Sequence, residues 1–419
     1  MTRLPFAPAA LLALLLAACS TSQAPSAAPA AAPARPQLLL ISIDGLRADA
    51  LDWGIAPHLS ALATQGVRAQ WMNPSYPALT FPNHYTLVTG LRPDHHGIVH
   101  NSMDDAELGG FKVSNTDAVG DSRWWGGEPI WVGAEKAGLR AATWSWPGSE
   151  AAIDGVRPTH WITYDAHVTP QQRARQVGDW LEDRHAPLAL VTLYFDQVDK
   201  AGHDHGPQSK EYREAIARVD AAIGELIARL KRDHRLDHTD IVIVSDHGMA
   251  TVQPRQVLAV EDMVPMAEAK VVSIGQSIGI APLPGQVQAA EKRLLGAHDA
   301  YDCWRRSELP ARWHYGTHPR IPPIICQMHE GWDALPADEV SARHAGHVRG
   351  SHGYDPALPS MRAVFIARGP SFARGVTLPP FDNVDLYPLL AHLLGITAAP
   401  NDGDARTLQP ALRAPAVAP

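Results

Sequence analysis

The sequence predicts an α/β domain, with a mostly parallel central sheet flanked by helices and a smaller inserted region late in the chain. Three observations predict it. The apolar runs Gln37–Ile43, Ala186–Tyr194 and Thr239–Val244 are continuous rather than alternating, as in strands buried on both faces of a parallel sheet. Amphipathic helical patterns lie between such runs. The clearest is Pro207–Arg232, where Tyr212, Ile216, Val219, Ile223, Leu226 and Leu230 form one stripe. Between residues 250 and 350 the simple alternation stops.

The chain has 419 residues, which fits one large domain with an insertion or two domains. Its net charge is −8, so nothing suggests a nucleic-acid surface. Histidine occurs 21 times against 3 cysteines, so a metal site here would use imidazole and carboxylate.

The N-terminus reads as an address. Thr2-Arg3 is a short positive start and Ala9–Ala18 an apolar run too short to span a bilayer comfortably. Its end, Leu16-Ala17-Ala18-Cys19-Ser20, resembles a bacterial lipoprotein processing site. The resemblance implies removal of residues 1–18 and diacylation of Cys19, with a plain secretory signal as the alternative. Either way the protein is exported, to the periplasm, and meets a membrane only through this anchor. Residues 19–36, rich in Ala, Pro and Ser, read as a disordered tether. The catalytic domain is expected over 37–249 and 351–405, the inserted region over 250–350 and a tail over 406–419. Cys303 and Cys326 could pair in an oxidising compartment, but spacing does not show that they meet.

In order, Gln37–Ile43 is a strand ending in Asp44-Gly45, Pro57–Gly66 a helix and Val67–Met72 a short strand. Tyr85–Thr89 reads as the first turns of a buried helix, with Pro82 favouring a helix start just before it. Thr80 then sits at or near a helix N-terminus, where free N–H groups and the dipole favour an anion. Taken alone it reads as a capping threonine; a nucleophilic hydroxyl is the alternative. Asn101 follows the turn Arg92-Pro93-Asp94 and is either a turn residue or an amide donor to an oxyanion. Trp124, Trp125, Trp131, Trp144 and Trp146 are expected mostly in the core, with some walling a pocket. Ile130–Gly138 is helical, Ala141–Trp144 a strand and Gln172–Asp183 a helix. The insertion carries a strand at Val271–Ile274, a helix near Gly285–Leu295 and a Pro-rich segment, Thr317–Cys326. Met361–Ala367 is a strand and Asn383–Leu394 a helix.

Three strand ends carry acids. Asp44 closes the first run, Asp199 follows the second four residues before His203, and Asp246-His247 closes the third. Open α/β sheets gather ligands at the carboxyl ends of their strands. With His352, from the Gly-flanked loop Ser351–Asp355, these groups make two three-residue ligand sets. Each set leaves positions open, as catalytic zinc sites require, and mixed His and Asp ligands suit zinc better than magnesium or calcium. Two metals about 3.5–4 Å apart could clamp the entering and leaving oxygens of a phosphoryl transfer.

The runs SIDGLR, PALTFPNHYTLVTGLRPDHHGIVHN, YFDQVDKAGHDHGP, VSDHGM and HGYD follow one another in the order found in a known family. They resemble the nucleotide pyrophosphatase/phosphodiesterase family of the alkaline phosphatase superfamily. The resemblance implies an alkaline-phosphatase-like sandwich holding two Zn2+ ions. It implies Thr80 as nucleophile and Asn101 as phosphoryl-binding amide. Asp199, His203 and His352 would bind one zinc; Asp44, Asp246 and His247 would bind the other, completed by Thr80. It also implies a double displacement through phosphothreonine. Family members hold a leaving group or base between aromatics, for which Phe81, Tyr164 and Tyr194 are candidates, each alternatively core. The expected substrate is a small phosphodiester or pyrophosphate of a nucleotide, cut to a nucleoside 5′-monophosphate. The alternatives are a diesterase for lipid-derived head groups such as glycerophosphocholine, a phosphomonoesterase, and a non-catalytic zinc-binding lipoprotein. No arginine matches the role a monoesterase needs, and the nucleophile-plus-ligand set disfavours the last.

Overall fold

The computed structural model of the chain describes residues 1–2 and 35–414. The expected leader, Cys19 and the tether to residue 34 lie outside the described residues, as does the end of the tail. An eight-stranded sheet runs through the centre. Its strands are β1 Gln37–Ile43, β2 Val67–Ala69, β3 Ala141–Trp144, β4 His160–Ile162, β5 Leu190–Phe195, β6 Thr239–Val244, β7 Phe365–Arg368 and β8 Val376–Leu378. They lie in the order β8-β2-β7-β6-β1-β5-β3-β4. Only β7 runs against its neighbours; every other pairing is parallel.

The principal helices are α1 Pro57–Gln65, α2 Thr80–Thr89, α3 Ile130–Lys136, α4 Pro170–Glu182, α5 Gln197–His205, α6 Lys210–Arg232, α7 Val287–Leu294 and α8 Leu386–Leu394. The pleat of β1 sorts them into two layers. Leu39, Ile41 and Ile43 meet the apolar stripes of α1, α4 and α6. Leu38 and Leu40 belong to the opposite core, with residues of α2, α3 and α8. Burial on both faces explains why these strands read as continuous apolar runs. Tertiary contacts also replace a missing cap. Ala56 cannot cap α1, and Asp220 of α6 accepts from the His58 and Leu59 N–H groups instead, at 3.2 and 2.8 Å.

Between β6 and β7 the chain builds a second, antiparallel sheet from Ala269–Val271, Ser277–Pro282, Gly296–Ala297, Tyr301–Arg305 and Ile324–Met328. It has its own core, into which α7 sends Leu294. Cys303 and Cys326 stand opposite each other in this sheet and form a disulfide.

Several element boundaries differ from expectation. The helix bearing Pro82 begins earlier, at Thr80, because Pro82 is its third residue and needs no N–H there. The second buried strand begins at Leu190 rather than Ala186. The Ala186 N–H is taken by Asp183 Oδ1 at 3.1 Å and Pro187 has no donor. The strand expected over Val67–Met72 breaks into Val67–Ala69 and Met72–Asn73. The one expected at Val271–Ile274 ends at Val271, and the chain turns through Gly275, at φ +102°, into the next strand. Met361–Ala367 joins the ladder to β6 only from Phe365.

Candidate active site

β6, β1 and β5 are adjacent, so their carboxyl ends bring Asp246, Asp44 and the start of α5 to one edge. The turn after Asp44 needs glycine. Gly45 has φ +67°, and a Cβ there would lie 2.9 Å from Asp199 Cα and 3.0 Å from its carboxylate. Asp199 and His203 share a face one turn apart on α5. His352 follows the strand Arg349–Ser351, which pairs antiparallel with Ala250–Val252 from the other end of the insertion. Thr80 is the first residue of α2, and Leu79, not Thr80, occupies the cap position. Thr80 Oγ1 lies 3.4 Å from His247 Nε2.

The three imidazoles are wired alike. Nδ1 of His203 lies 3.1 Å from the Gly350 carbonyl, that of His247 2.9 Å from the Gly248 carbonyl, and that of His352 3.0 Å from the Ala78 carbonyl. A carbonyl only accepts, so Nδ1 carries the proton and Nε2 presents its lone pair. Those Nε2 atoms face carboxylates. His203 and His352 each stand 3.5 Å from Asp199, and His247 stands 3.5 Å from Asp44 and 2.8 Å from Asp246. A cation between them, a proton or a metal ion, relieves that opposition. Three buried carboxylate oxygens, Asp44 Oδ1, Asp199 Oδ1 and Asp246 Oδ2, also lack any hydrogen-bond partner.

The electrostatics agree. Burial and the neighbouring Asp246 and Asp199 charges push the Asp44 carboxyl well above its usual range. Burial also raises Asp199. Burial alone would raise Asp246 as well, but the His247 and His84 imidazoles hold it well below. Burial, His247 and His203 push His352 well down. Burial lowers His247, but the Asp246 and Asp199 charges raise it overall. Three acids and three imidazoles gathered at one edge are a donor set that a pair of divalent cations fits.

Reading the sequence missed three residues of this region. His84 also approaches Asp246, at 3.3 Å, but both its nitrogens are engaged. Nδ1 donates to the Thr80 carbonyl at 2.9 Å, and Nε2 accepts from Ser42 Oγ at 2.8 Å. It therefore braces the site and has no free lone pair for a metal. Buried Asn83 donates to the carbonyls of Pro77 and Leu79, each at 2.9 Å, and so fixes the loop that delivers Thr80. Their signal was an amide and an imidazole, three and four residues after Thr80, on a helix with no polar face to expose.

A cavity of about 770 Å³ opens onto Asp44, Thr80 and Asp199. Asn101 lines it, its Oδ1 accepting from the Phe81 N–H at 3.0 Å, which leaves Nδ2 for a ligand. Phe81, Tyr164 and Tyr194 all line it as well. Phe81 leans on Phe111 and Trp125. Tyr194 donates to Asp44 Oδ2 at 2.6 Å, and Tyr164, half exposed, donates to Asp196 Oδ2 at 2.7 Å. The five tryptophans expected to divide between core and pocket are all buried, and none lines this cavity; Trp161, the third missed residue, does.

Fold and site together define a phosphate-ester hydrolase of the alkaline phosphatase superfamily. Residues 38–355 match the family described as type I phosphodiesterase / nucleotide pyrophosphatase. The chain belongs to that family and is a phosphodiesterase/nucleotide pyrophosphatase. It is similar to an uncharacterized pyrophosphatase/phosphodiesterase of Schizosaccharomyces pombe, 36% identical over 87% of this chain and 78% of that protein. It is also similar to the bis(5′-adenosyl)-triphosphatase enpp4 of Mus musculus, 33% identical over 88% of this chain and 79% of that one. Among solved structures it resembles murine ectonucleotide pyrophosphatase/phosphodiesterase 5 as an inactive threonine-to-alanine variant in complex with AMP. That match has a TM-score of 0.85 and 32% identity, covering 90% of this chain and 100% of that one.

Proposed function

We propose that the protein cleaves phosphodiester or pyrophosphate bonds of nucleotides to nucleoside 5′-monophosphates, through phosphothreonine at Thr80 and with two zinc ions. The carrying observation is the gathering of three Nε2 atoms on the carboxylates of Asp44, Asp199 and Asp246, each of which has one oxygen without a hydrogen-bond partner, beside the Thr80 hydroxyl. Asp199, His203 and His352 would hold one ion; Asp44, Asp246 and His247, with Thr80 Oγ1, would hold the other. Zinc is favoured by donor type and by spacing. A tetrahedral site with bonds of about 2.0–2.1 Å has donor–donor edges of about 3.3–3.4 Å; the contacts to Asp199 and Asp44 measure 3.5 Å, while that of His247 with Asp246 is tighter at 2.8 Å. When bound, the ions supply positive charge that makes the Thr80 hydroxyl acidic and neutralises the leaving oxygen.

The chain's own residues do the rest. Thr80 Oγ1 attacks phosphorus, the bond to the leaving oxygen breaks, and water then cleaves the Thr80–phosphate ester. The start of α2 places its dipole toward the phosphoryl group, and Asn101 Nδ2 donates to a phosphoryl oxygen. Phe81, Tyr164 and Tyr194 offer aromatic surface to a base. The AMP named with the murine relative supports a nucleotide in this cavity.

The test compares a nucleoside 5′-monophosphate aryl ester, glycerophosphocholine and a mono-aryl phosphate, with zinc and with chelator. Fast, chelator-sensitive release of nucleoside monophosphate is expected. Preference for glycerophosphocholine or the monoester would overturn the nucleotide reading. We also propose export and lipid attachment through Cys19, supported by the Cys303–Cys326 disulfide, which suits an oxidising compartment. Mass spectrometry of the mature N-terminus should find lipid on Cys19.

A further inference from the structure

We infer that Arg173, which lies behind the cavity wall, is a positioning residue that sets nucleotide affinity by holding the two pocket tyrosines; this rests on the nucleotide reading above. Arg173 is fully buried on the first turns of α4. Its guanidinium serves four acceptors on two segments. Nε donates to the Val168 carbonyl at 3.1 Å and Nη2 to the Asp165 carbonyl at 3.3 Å. Nη1 donates to the Tyr194 carbonyl at 3.0 Å and pairs with Asp196 Oδ1 at 2.6 Å. The Trp144 ring lies 4.7 Å away and covers its face. One segment follows Tyr164 directly and the other contains Tyr194. Asp196 closes the circuit, because its second oxygen takes the Tyr164 hydroxyl at 2.7 Å.

This arrangement needs a planar fork of donors, which arginine has and lysine lacks. It also answers a physical difficulty. A half-exposed tyrosine on a loop would lose rotamer freedom on stacking against a ligand. Tethering its hydroxyl to a carboxylate that is itself fixed by a buried cation removes part of that cost before the ligand arrives. Arg173 touches no reacting group, so its influence should appear in nucleotide binding and not in binding of the phosphoryl group.

The experiment titrates AMP and, separately, inorganic phosphate into the zinc-loaded full chain by calorimetry. The variants are Asp196→Asn, Tyr164→Phe, their combination, Arg173→Lys and Tyr164→Ala. Asp196→Asn and Tyr164→Phe should each weaken AMP about tenfold, the scale of one lost charge-assisted hydrogen bond. Phosphate affinity and zinc content should stay unchanged, and the double variant should be no worse than the poorer single. Arg173→Lys should show the same selective loss, with a lower melting temperature. A merely structural role would weaken AMP and phosphate together, and that result, or unchanged AMP affinity in Asp196→Asn, overturns the inference. If Tyr164→Ala weakens AMP while Asp196→Asn does not, the clamp fails and the nucleotide reading stands. If Tyr164→Ala leaves AMP binding intact, the tyrosine wall and the clamp fall while the nucleotide reading stands; if the unaltered chain binds phosphate but not AMP, the nucleotide reading falls.

Discussion

The carboxylate–imidazole cluster and the aromatic wall share one cavity yet are built on opposite plans. In the cluster, Asp44, Asp246, His247 and His352 are buried, Asp199 and His203 form its part-exposed rim, and each imidazole is fixed by a backbone carbonyl. In the wall, Tyr164 is 50%, Trp161 40% and Val113 39% exposed, and Tyr164 owes its place to a side-chain tether from beneath. The difference separates two tasks. Rigid strand ends suit a reaction whose atoms must be placed to a fraction of an ångström. Half-exposed loops suit recognition, where affinity depends on how much ordering remains to be done. Substitutions in the first region should therefore abolish turnover or metal binding, and those in the second should shift affinity.

The largest expected effect tests the cluster. Thr80→Ala removes the proposed nucleophile and none of the six other donors, so turnover should fall by about 10⁴-fold or more, with zinc content by elemental analysis unchanged. Retained activity would end the nucleophile assignment, and lost zinc would show that Thr80 holds the site together. Gly45→Ala comes next. Its Cβ would strike Asp199 at 2.9–3.0 Å from a backbone at φ +67°, so Asp44 and Asp199 would be driven apart. Loss of zinc and about a hundredfold fall in kcat are expected, since small misplacements are costly here; normal zinc content would mean that the strand ends yield. Tyr194→Phe probes the boundary, because its hydroxyl binds a cluster carboxylate while its ring lines the wall. If the hydroxyl belongs to the cluster, zinc affinity falls about tenfold, as for other partners of metal ligands. A change confined to AMP affinity would move Tyr194 wholly into the wall.

The cluster was legible in the sequence and the wall's support was not, for a physical reason. Asp44, Asp199 and Asp246-His247 each follow an apolar run long enough to announce a buried strand. Their convergence follows once those strands are adjacent. Arg173 looks like any charged residue on an amphipathic helix; only the fold shows that its face of α4 is covered. Asn83 and His84 were hidden by setting the helix start after Pro82, which left them in a loop rather than on the face behind Thr80. The inserted sheet was obscure because strands of two to six residues carry little periodicity, and only their register brings Cys303 to Cys326.

The smallest effect concerns the seam between the two regions, Ile98–Ser102, which carries Asn101. Two neutral imidazoles pin it. His96 Nδ1 accepts from the Ile98 N–H at 3.1 Å, and His100 Nδ1 accepts from the Ser102 N–H at 3.0 Å while its Nε2 donates to the Ser277 carbonyl of the inserted sheet. Protonation would remove both acceptors. Burial holds His96 down at about 3 and His100 at about 4, both below the ordinary 6.5. The unfolded chain therefore takes up protons first as pH falls. Stability from these groups is complete above pH about 6.5 and declines toward pH 4, each group adding a slope of about 1.4 kcal/mol per pH unit. Urea midpoints of the zinc-loaded chain at pH 7, 6 and 5 should fall accordingly, and His100→Gln should flatten the decline by one group's share whatever it does to absolute stability. An unaltered slope in that variant would mean that His100 titrates freely, and that Asn101 is held to the cluster only through its own bond to Phe81.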